Sequence, residues 1–449
     1  MITRRSFAHT TAAGLAVAAA PGLLLGARAD KPYKTALIGT GWWGTNILRE
    51  AIGSGRCKVV GLCDVDENQL DTCASAIGGL TADQPKRYKD YRELLETEKP
   101  DICIVATADH WHPLITIDAC KAGADVYVEK PIGHTVLEGK AMVKAAREHD
   151  RRVQVGTHRR VSPHNVSGME FLKSGQAGKI GMVRAFVHYG GGPEQPSDNQ
   201  EPPDGLDWEM WCGPAPLRPF NPKIHPKGFR NFLDYANGTL GDWGIHWMDQ
   251  ILMWTDEPAP RSIYSTGGRP IAGPAIHDGD RQTTDAPDHQ LATFEFEGFS
   301  VSWEHRKFAG NNAEKTHPGQ AVGCYFYGTE GTFHMGWLDG WTFYPANAKK
   351  APIHVEAQLH EPDQQNIREL WADLLASIDD RENGGKRLPV CDIEIGHRST
   401  NMSLLGMLSW KLGRSIAWDH DRHEIAGDPE ANALLKREYR GPWQYPDHS

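Results

Sequence analysis

The chain has 449 residues, with 58 Asp and Glu against 48 Lys and Arg for a formal charge of −10, 39% hydrophobic and 24% charged residues. That is an ordinary globular composition with length for two or three domains, and it leaves no basic footprint for a nucleic-acid backbone or an anionic membrane. The eight cysteines contain no CxxC pair, and Cys57 and Cys63 bracket an apolar strand-like run, which argues against a disulfide scaffold or a structural zinc site.

Residues 1–29 differ from the rest. Thr3-Arg4-Arg5-Ser6-Phe7 precedes an uncharged Ala/Gly/Leu stretch and then Ala27-Arg28-Ala29. This pattern is that of a twin-arginine signal peptide, cleaved after Ala29, and it predicts an exported, periplasmic protein. The stretch carries Pro21 and is too weakly apolar for a membrane span, and no later run reaches spanning length. Twin-arginine carriers move folded proteins, a route that suits an enzyme loading its cofactor before export.

From 31 to 155, short β-branched runs alternate with helical ones: Lys34 to Ile38, Val59 to Cys63, Ile102 to Ala106 and Val126 to Glu129, with Val153 to Gly156 as a last strand. This predicts a doubly wound parallel sheet, a Rossmann domain. A second domain over 156–449 follows. It holds a helix near Val166 to Ser174, a strand at Met182 to Tyr189 and a Pro/Gly-rich insertion from Gly190 to about Asp234. Strands at Arg261 to Thr266, His289 to Glu297, Phe299 to Arg306, Gly323 to Gly328 and Gly331 to Trp337 share short Gly turns, as in an open antiparallel sheet of an α+β domain. Apolar helices around Ile367 to Ile378 and Ile395 to Leu412 return onto the core.

Gly39-Thr-Gly41-Trp42-Trp43-Gly44 leaves the first strand and opens a helix. Gly39 suits the tight turn, Gly41 lets backbone approach a pyrophosphate, and Gly44 allows close helix-to-strand packing. Asp64, twenty residues beyond Gly44, ends the second strand, where a carboxylate accepts ribose hydroxyls and repels a 2′-phosphate. NAD is therefore expected rather than NADP.

A third signature is Ile104-Val-Ala-Thr107-Ala-Asp-His-Trp-His112, followed by Val128-Glu129-Lys130-Pro131. With the Gly loop, it closely resembles the glucose-fructose oxidoreductase, inositol dehydrogenase and rhizopine catabolism family (Gfo/Idh/MocA). The resemblance extends to the later antiparallel sheet and the Glu394-Ile-Gly-His397-Arg helix. It implies that Lys130 reaches both the nicotinamide and the substrate hydroxyl, stabilising developing alkoxide charge, and that the Lys-Pro bond is often cis. Trp42, Trp43, Thr107, His112 and Glu129 join the cofactor site under this reading.

Gly241-Asp242-Trp-Gly-Ile-His246-Trp-Met-Asp249 places 242 and 246 four apart, on one face of a helix. In the resembling family an Asp-x-x-x-His pair stands here, the His as proton-abstracting base and the Asp on substrate. An imidazole suits the task because its ordinary pKa lies near neutrality. A capping Asp with a core His is the competing reading.

His110 and His112 look like a metal clip, but no third and fourth ligand stands at suitable spacing, so no metal is expected. Trp208, Trp211, Trp243 and Trp247 are candidates for sugar stacking or for the core. His158, where the family usually has glutamine, has no assigned role.

The resulting expectation is an exported NAD-dependent oxidoreductase acting on a sugar, polyol or glycoside carbinol, with its cofactor recycled in place. The alternatives are an NAD-dependent glycoside hydrolase working by transient oxidation and elimination, an enzyme that oxidises one sugar while reducing another, and a non-catalytic nucleotide or sugar sensor. The resemblance further implies a homo-oligomer formed through the open sheet face.

Overall fold

The computed structural model describes residues 32–255, 257–310, 321–360 and 363–449, so the twin-arginine reading lies outside the described residues. The first half of the chain alternates strictly. The elements are β1 (Tyr33–Ile38), α1 (Trp42–Gly53), β2 (Cys57–Cys63), α2 (Glu67–Ile77), β3 (Lys86–Tyr88), α3 (Tyr91–Glu98), β4 (Ile102–Val105), α4 (His112–Lys121), β5 (Asp125–Val128), α5 (Val136–Glu148) and β6 (Val153–Val155). All residues of β4, β5 and β6 are buried, as expected of strands covered on both faces by helices. Asp66 and Asp90 cap α2 and α3 by accepting from Asn68 and Arg92 N–H.

The six strands are parallel, in the order β3-β2-β1-β4-β5-β6. The order reverses between β1 and β4, and a crevice opens beyond the carboxyl ends of these strands. Strand β3 was not foreseen, because Lys86-Arg87-Tyr88 has no apolar run to betray it.

The second half comprises α6 (Pro163–Lys173), β7 (Ile180–His188), β8 (Ser197–Asp198), α7 (Trp208–Cys212), a π-helical turn (Leu240–Gly244) running into α8 (Ile245–Trp254), β9 (Ser262–Gly268), β10 (Arg281–Gln282), β11 (His289–Glu295), β12 (Ser300–Arg306), β13 (Val322–Gly328), β14 (Gly331–Gly336), β15 (Trp341–Pro345), β16 (Ile353–Val355), α9 (Ile367–Glu382), α10 (Ile393–Leu412), β17 (Ile416–Asp419), β18 (Glu424–Ile425) and α11 (Pro429–Ala433). Ten strands form one sheet in the order β16-β15-β14-β13-β7-β12-β11-β9-β17-β18. The sheet is mixed rather than purely antiparallel, because β7 and β12 run parallel at its centre. Burial alternates along β11 and β12. One face packs on α8 and α10, and the other leaves Tyr264 and Leu291 nearly half exposed.

Helix α9, counted in sequence with the second domain, buries Ile367, Leu370, Trp371, Leu374 and Ile378 in the core of the first. Helix α10 begins in that core with Ile393 and ends in the second with Met402 and Leu405. At Gly396 a Cβ would stand 2.4 Å from Val155 Cγ2, so α10 crosses β6 at glycine contact and fixes the two domains against each other. No described helix is long and apolar enough to cross a membrane. All eight cysteines are free.

Candidate active site

A cleft of about 710 Å³ runs from the Gly39 loop, along the ends of β1, β4 and β5, to the π-helical turn before α8. Its first end is set by glycine geometry. Gly39 has φ +92°, and a Cβ there would lie 2.5 Å from the Ala106 carbonyl, so the turn sits directly on the end of β4. A Cβ at Gly44 would stand 2.1 Å from Gly39 O and 3.2 Å from Leu37 Cδ1, which makes Gly44 the contact between helix and strand. At Gly41 the nearest atom to a Cβ is 4.0 Å away, leaving open space at the start of α1, whose first N–H groups have no intrahelical partners.

Asp64 faces this loop. Thr40 donates from both N–H (2.7 Å) and Oγ (3.1 Å) to Oδ2, and Asp66 N–H donates to Oδ1 (3.1 Å). Burial pushes the carboxyl upward and the three hydrogen bonds oppose it, leaving its pKa raised. Oδ2 thus accepts two hydrogen bonds and Oδ1 one, so Oδ1 keeps an unused lone pair. Trp42 is 62% exposed at the rim, with Lys227 Nζ 5.3 Å from the centre of its ring system, while Trp43 is half-buried and lines the cleft.

Thr107, His112 and Glu129 line the floor. The His112 ring lies between the carbonyls of Pro131 (Nδ1, 2.8 Å) and Thr107 (Nε2, 3.0 Å). Burial lowers its pKa to about 4, and a neutral ring donates to one of these carbonyls, as the Nδ1–H tautomer bracing Pro131 under the Glu129-Lys130-Pro131 turn or as the Nε2–H tautomer bonding Thr107. His110 packs against Trp211 and Tyr235 with Nε2 3.0 Å from the Trp211 carbonyl. Among the described residues no group of His, Cys, Asp and Glu is arranged to hold a metal. Glu129 is buried, and its Oε2 accepts from Lys130 N–H at 3.1 Å. The Lys130–Pro131 peptide is cis.

At the other end, Lys130 Nζ donates to Asp242 Oδ1 and to the Asp242 carbonyl, both at 2.9 Å. Arg230 Nε donates to the same Oδ1 at 3.1 Å. Burial works to raise the Asp242 carboxyl, but the two cations overcome it and hold it down at about 2. The stretch read as regular helix is not uniform: Asp242 lies in the π-helical turn and His246 in α8, yet both line the cleft. Asp249, by contrast, turns away to pair with Arg160 and Ser399.

His246 is buried with Nδ1 unpartnered, and its pKa is lowered by burial and then by Lys130, His158 and Arg159. His158 lies beside it with ring centres 5.5 Å apart. Trp337 closes over His246 at 4.9 Å and is itself held by Arg159, 4.1 Å above its ring. Of the four tryptophans weighed for sugar contact, Trp211 and Trp243 line the cleft. Trp208 stacks on Trp211 at 4.6 Å in a buried cluster, and Trp247 is fully buried.

Several cleft residues escaped sequence reasoning, among them Arg230, Trp337 and Asp109. Arg230 lies in the aperiodic insertion, Trp337 follows β14, and Asp109 sits inside the quoted motif without having been singled out. Asp109 is buried with Oδ2 unpartnered, and burial raises its pKa to about 7 against the pull of Arg230.

Residues 33–157 match the family described as "Oxidoreductase family, NAD-binding Rossmann fold", and residues 170–267 and 385–445 match its "C-terminal alpha/beta domain", together more than half of the chain. Inositol 2-dehydrogenase of Salmonella typhimurium is 27% identical over 158 residues, 35% of this chain and 46% of that protein. The chain thus spans less than half the length of this curated relative. A glycosyl hydrolase family 109 protein of Parabacteroides distasonis is 25% identical over 237 residues, 48% of this chain and 50% of that protein. Among solved structures, a levoglucosan dehydrogenase in complex with NADH and levoglucosan superposes with TM-score 0.64 at 17% identity, over 86% of this chain and 99% of that one. An aldose-aldose oxidoreductase from Caulobacter crescentus gives 0.62 at 17%, over 86% and 100%. At these identities the structural likeness establishes the fold.

Proposed function

The chain belongs to the Gfo/Idh/MocA oxidoreductase family and carries its NAD-binding Rossmann domain, and from that premise we propose that it oxidises a carbinol of a sugar, polyol or glycoside by hydride transfer to NAD. The observation that carries this reading is the convergence of Lys130, Asp242 and His246 at one end of a cleft whose other end is the Gly39 loop and Asp64. The open space at Gly41 and the free N–H groups of α1 fit a pyrophosphate, and the Asp64 carboxyl, with a lone pair of Oδ1 unused, fits a ribose hydroxyl of NAD better than a 2′-phosphate. Bound there, NAD supplies the hydride-accepting ring.

The chain's own groups supply the rest. Asp242 engages two of the three Lys130 N–H bonds, leaving one to donate to a substrate oxygen. That donor stabilises negative charge on the oxygen as the carbinol is oxidised. His246 lines the same end of the cleft with Nδ1 unpartnered and is the group assigned to take the hydroxyl proton. Asp242 holds the Lys130 ammonium in place, and Arg230 fixes Asp242 in turn. Trp243 and Trp337 wall the reacting centre.

A second reading is favoured by the likeness to glycosyl hydrolase family 109 proteins. The sugar would be oxidised, lose its glycosidic group by elimination from the acidified neighbouring carbon, add water and be reduced again, with no net change in NAD. The Arg4-Arg5 leader supports the same economy of cofactor, since an exported enzyme meets no maintained pool of free NAD. The test incubates desalted full-length enzyme, without added NAD, with glycosides and with sugar plus ketose pairs. Many turnovers without net NADH support internal recycling, whereas strict dependence on added NAD with stoichiometric NADH returns the enzyme to the ordinary dehydrogenases. Arg4→Lys with Arg5→Lys tests export, by stranding the folded precursor in the cytoplasm. Association of copies through the open sheet face, where Tyr264 and Leu291 protrude, is part of the same reading and is tested by light scattering.

A further inference from the structure

A side pocket of about 350 Å³ adjoins the cleft and shares Lys227, Arg230, Asp242 and Trp243 with it. Its volume lies at the lower end of ligand pockets, about 300–1,000 Å³. Lys307, just beyond β12, lines its inner end. The Lys307 ammonium donates to Asn231 Oδ1, and among the described residues no carboxylate lies within ion-pair distance of it. Burial lowers its pKa to about 8.

The neighbouring acids are already engaged. Asp242 is shared by Lys130 at 2.9 Å and Arg230 at 3.1 Å. Glu194 is held by Lys223 at 2.9 Å and Arg269 at 3.0 Å, and it also accepts from Thr284 N–H and Oγ. Asp288 accepts the N–H groups of Ile271 and Ala272. The pocket therefore has three cationic ends, Lys227, Arg230 and Lys307, against one carboxylate, Asp242, which Arg230 already shares with Lys130 from outside the pocket. A desolvated ammonium without a counterion is costly, and a neutral ligand would increase that cost by displacing the remaining water. An anion would offset it through charge-assisted hydrogen bonds. Tyr189 and Trp243, ring centres 6.1 Å apart, give the same pocket aromatic surface for a sugar face.

We propose that this side pocket is a substrate subsite for an anionic substituent, a carboxylate or a sulfate, borne by the reacting sugar or by the unit joined to it. The proposal rests on the carbohydrate reading above and narrows it to acidic sugars.

The test is calorimetric titration of the full-length, NAD-loaded protein with methyl glucoside, methyl glucuronide and the 6-sulfate of methyl glucoside. Wild type is expected to bind at least one anionic ligand about tenfold or more tighter than the neutral one, and whichever it prefers names the source of the charge. Lys307→Gln should abolish the preference by weakening the anionic ligand without weakening the neutral one or NAD, and Lys307→Arg should restore it. Equal binding of all three ligands, a parallel loss for neutral and anionic ligands in Lys307→Gln, or no binding of any would overturn the proposal. Nicotinamide reduction is followed separately on a panel of carbinols. Anion-selective binding without any reduction would uphold the subsite and sink the oxidoreductase reading, and reduction of neutral carbinols without selectivity would do the reverse.

Discussion

Lys130 grips Asp242 twice, through the carboxylate and through the backbone carbonyl, each at 2.9 Å. This contact joins the end of a Rossmann strand to a π-helical turn in the second domain, 112 residues later in the chain. It orients the ammonium and at the same time ties the two halves of the cleft together.

Replacing Lys130 with Met should therefore do more than remove a charge. The chemical step is expected to fall roughly 100- to 10,000-fold, the range usual for a positioned acid–base or charge-stabilising group. NAD should remain bound, because the Gly39 loop and Asp64 are untouched. Rapid-mixing kinetics beside an NAD titration checks both parts, and a normal single-turnover rate would exclude Lys130 from the chemistry.

The glycine loop separates folding from binding. Gly44→Ala would set a methyl 2.1 Å from a backbone oxygen and should lower the melting temperature, whereas Gly41→Ala has open space and should melt as wild type. If that space receives the pyrophosphate, Gly41→Ala loses NAD affinity with its stability intact. Unchanged NAD affinity in Gly41→Ala would move the phosphate site elsewhere.

Asp64→Ala should relax discrimination against NADP, since it removes the carboxylate that would repel a 2′-phosphate. Direct titration of both dinucleotides decides the matter. Tighter binding of NADP than NAD by the wild type would contradict the role given to Asp64.

The Asp109 carboxyl makes a pH prediction. Its ordinary pKa is 3.8 and burial raises it to about 7 in the fold. Between those values the native state holds a proton that the unfolded chain has lost, so this group lowers stability as pH rises from about 4 to about 7 and adds no further loss above that. Asp109→Asn, which cannot ionise, should match wild type near pH 4 and exceed it near pH 8, by roughly 4 kcal/mol at most. Thermal unfolding of the pair at the two pH values reads the difference, and a variant less stable than wild type at the higher pH would refute the assignment.

Much of this was legible in the residues, for reasons that differ by element. The Gly39 loop and Asp64 stand out because their chemistry is local and their spacing follows the strand-turn-helix path. The pairs β11–β12 and β13–β14 are marked by the short Gly turns between their strands, and burial alternates along β11 and β12. Helix α9 showed a buried face, but a helical period says nothing about what covers that face, and its attachment to the first core emerges only in three dimensions. Arg230 and Trp337 were hidden because the insertion and the end of β14 have no periodicity; Asp242 stands 12 residues from Arg230 with no regular helix joining them, and Arg159 stands 178 residues from Trp337. The π-helical turn was likewise invisible, since an i, i+4 spacing assumes the regular helix that Asp242 interrupts.

In the proposed reaction a carbinol proton leaves to His246 while Lys130 stabilises the oxygen and hydride leaves the carbon for NAD. The most direct measurement is a single turnover of NAD-loaded wild type and His246→Ala against a carbinol substrate and its carbon-deuterated form, following the near-ultraviolet absorbance of reduced nicotinamide. Wild type should show a deuterium-sensitive burst and the variant a roughly 100- to 10,000-fold slower one, with NAD equally bound in both. Equal rates in the two proteins, or reduction insensitive to deuterium and to His246, would contradict the proposed reaction.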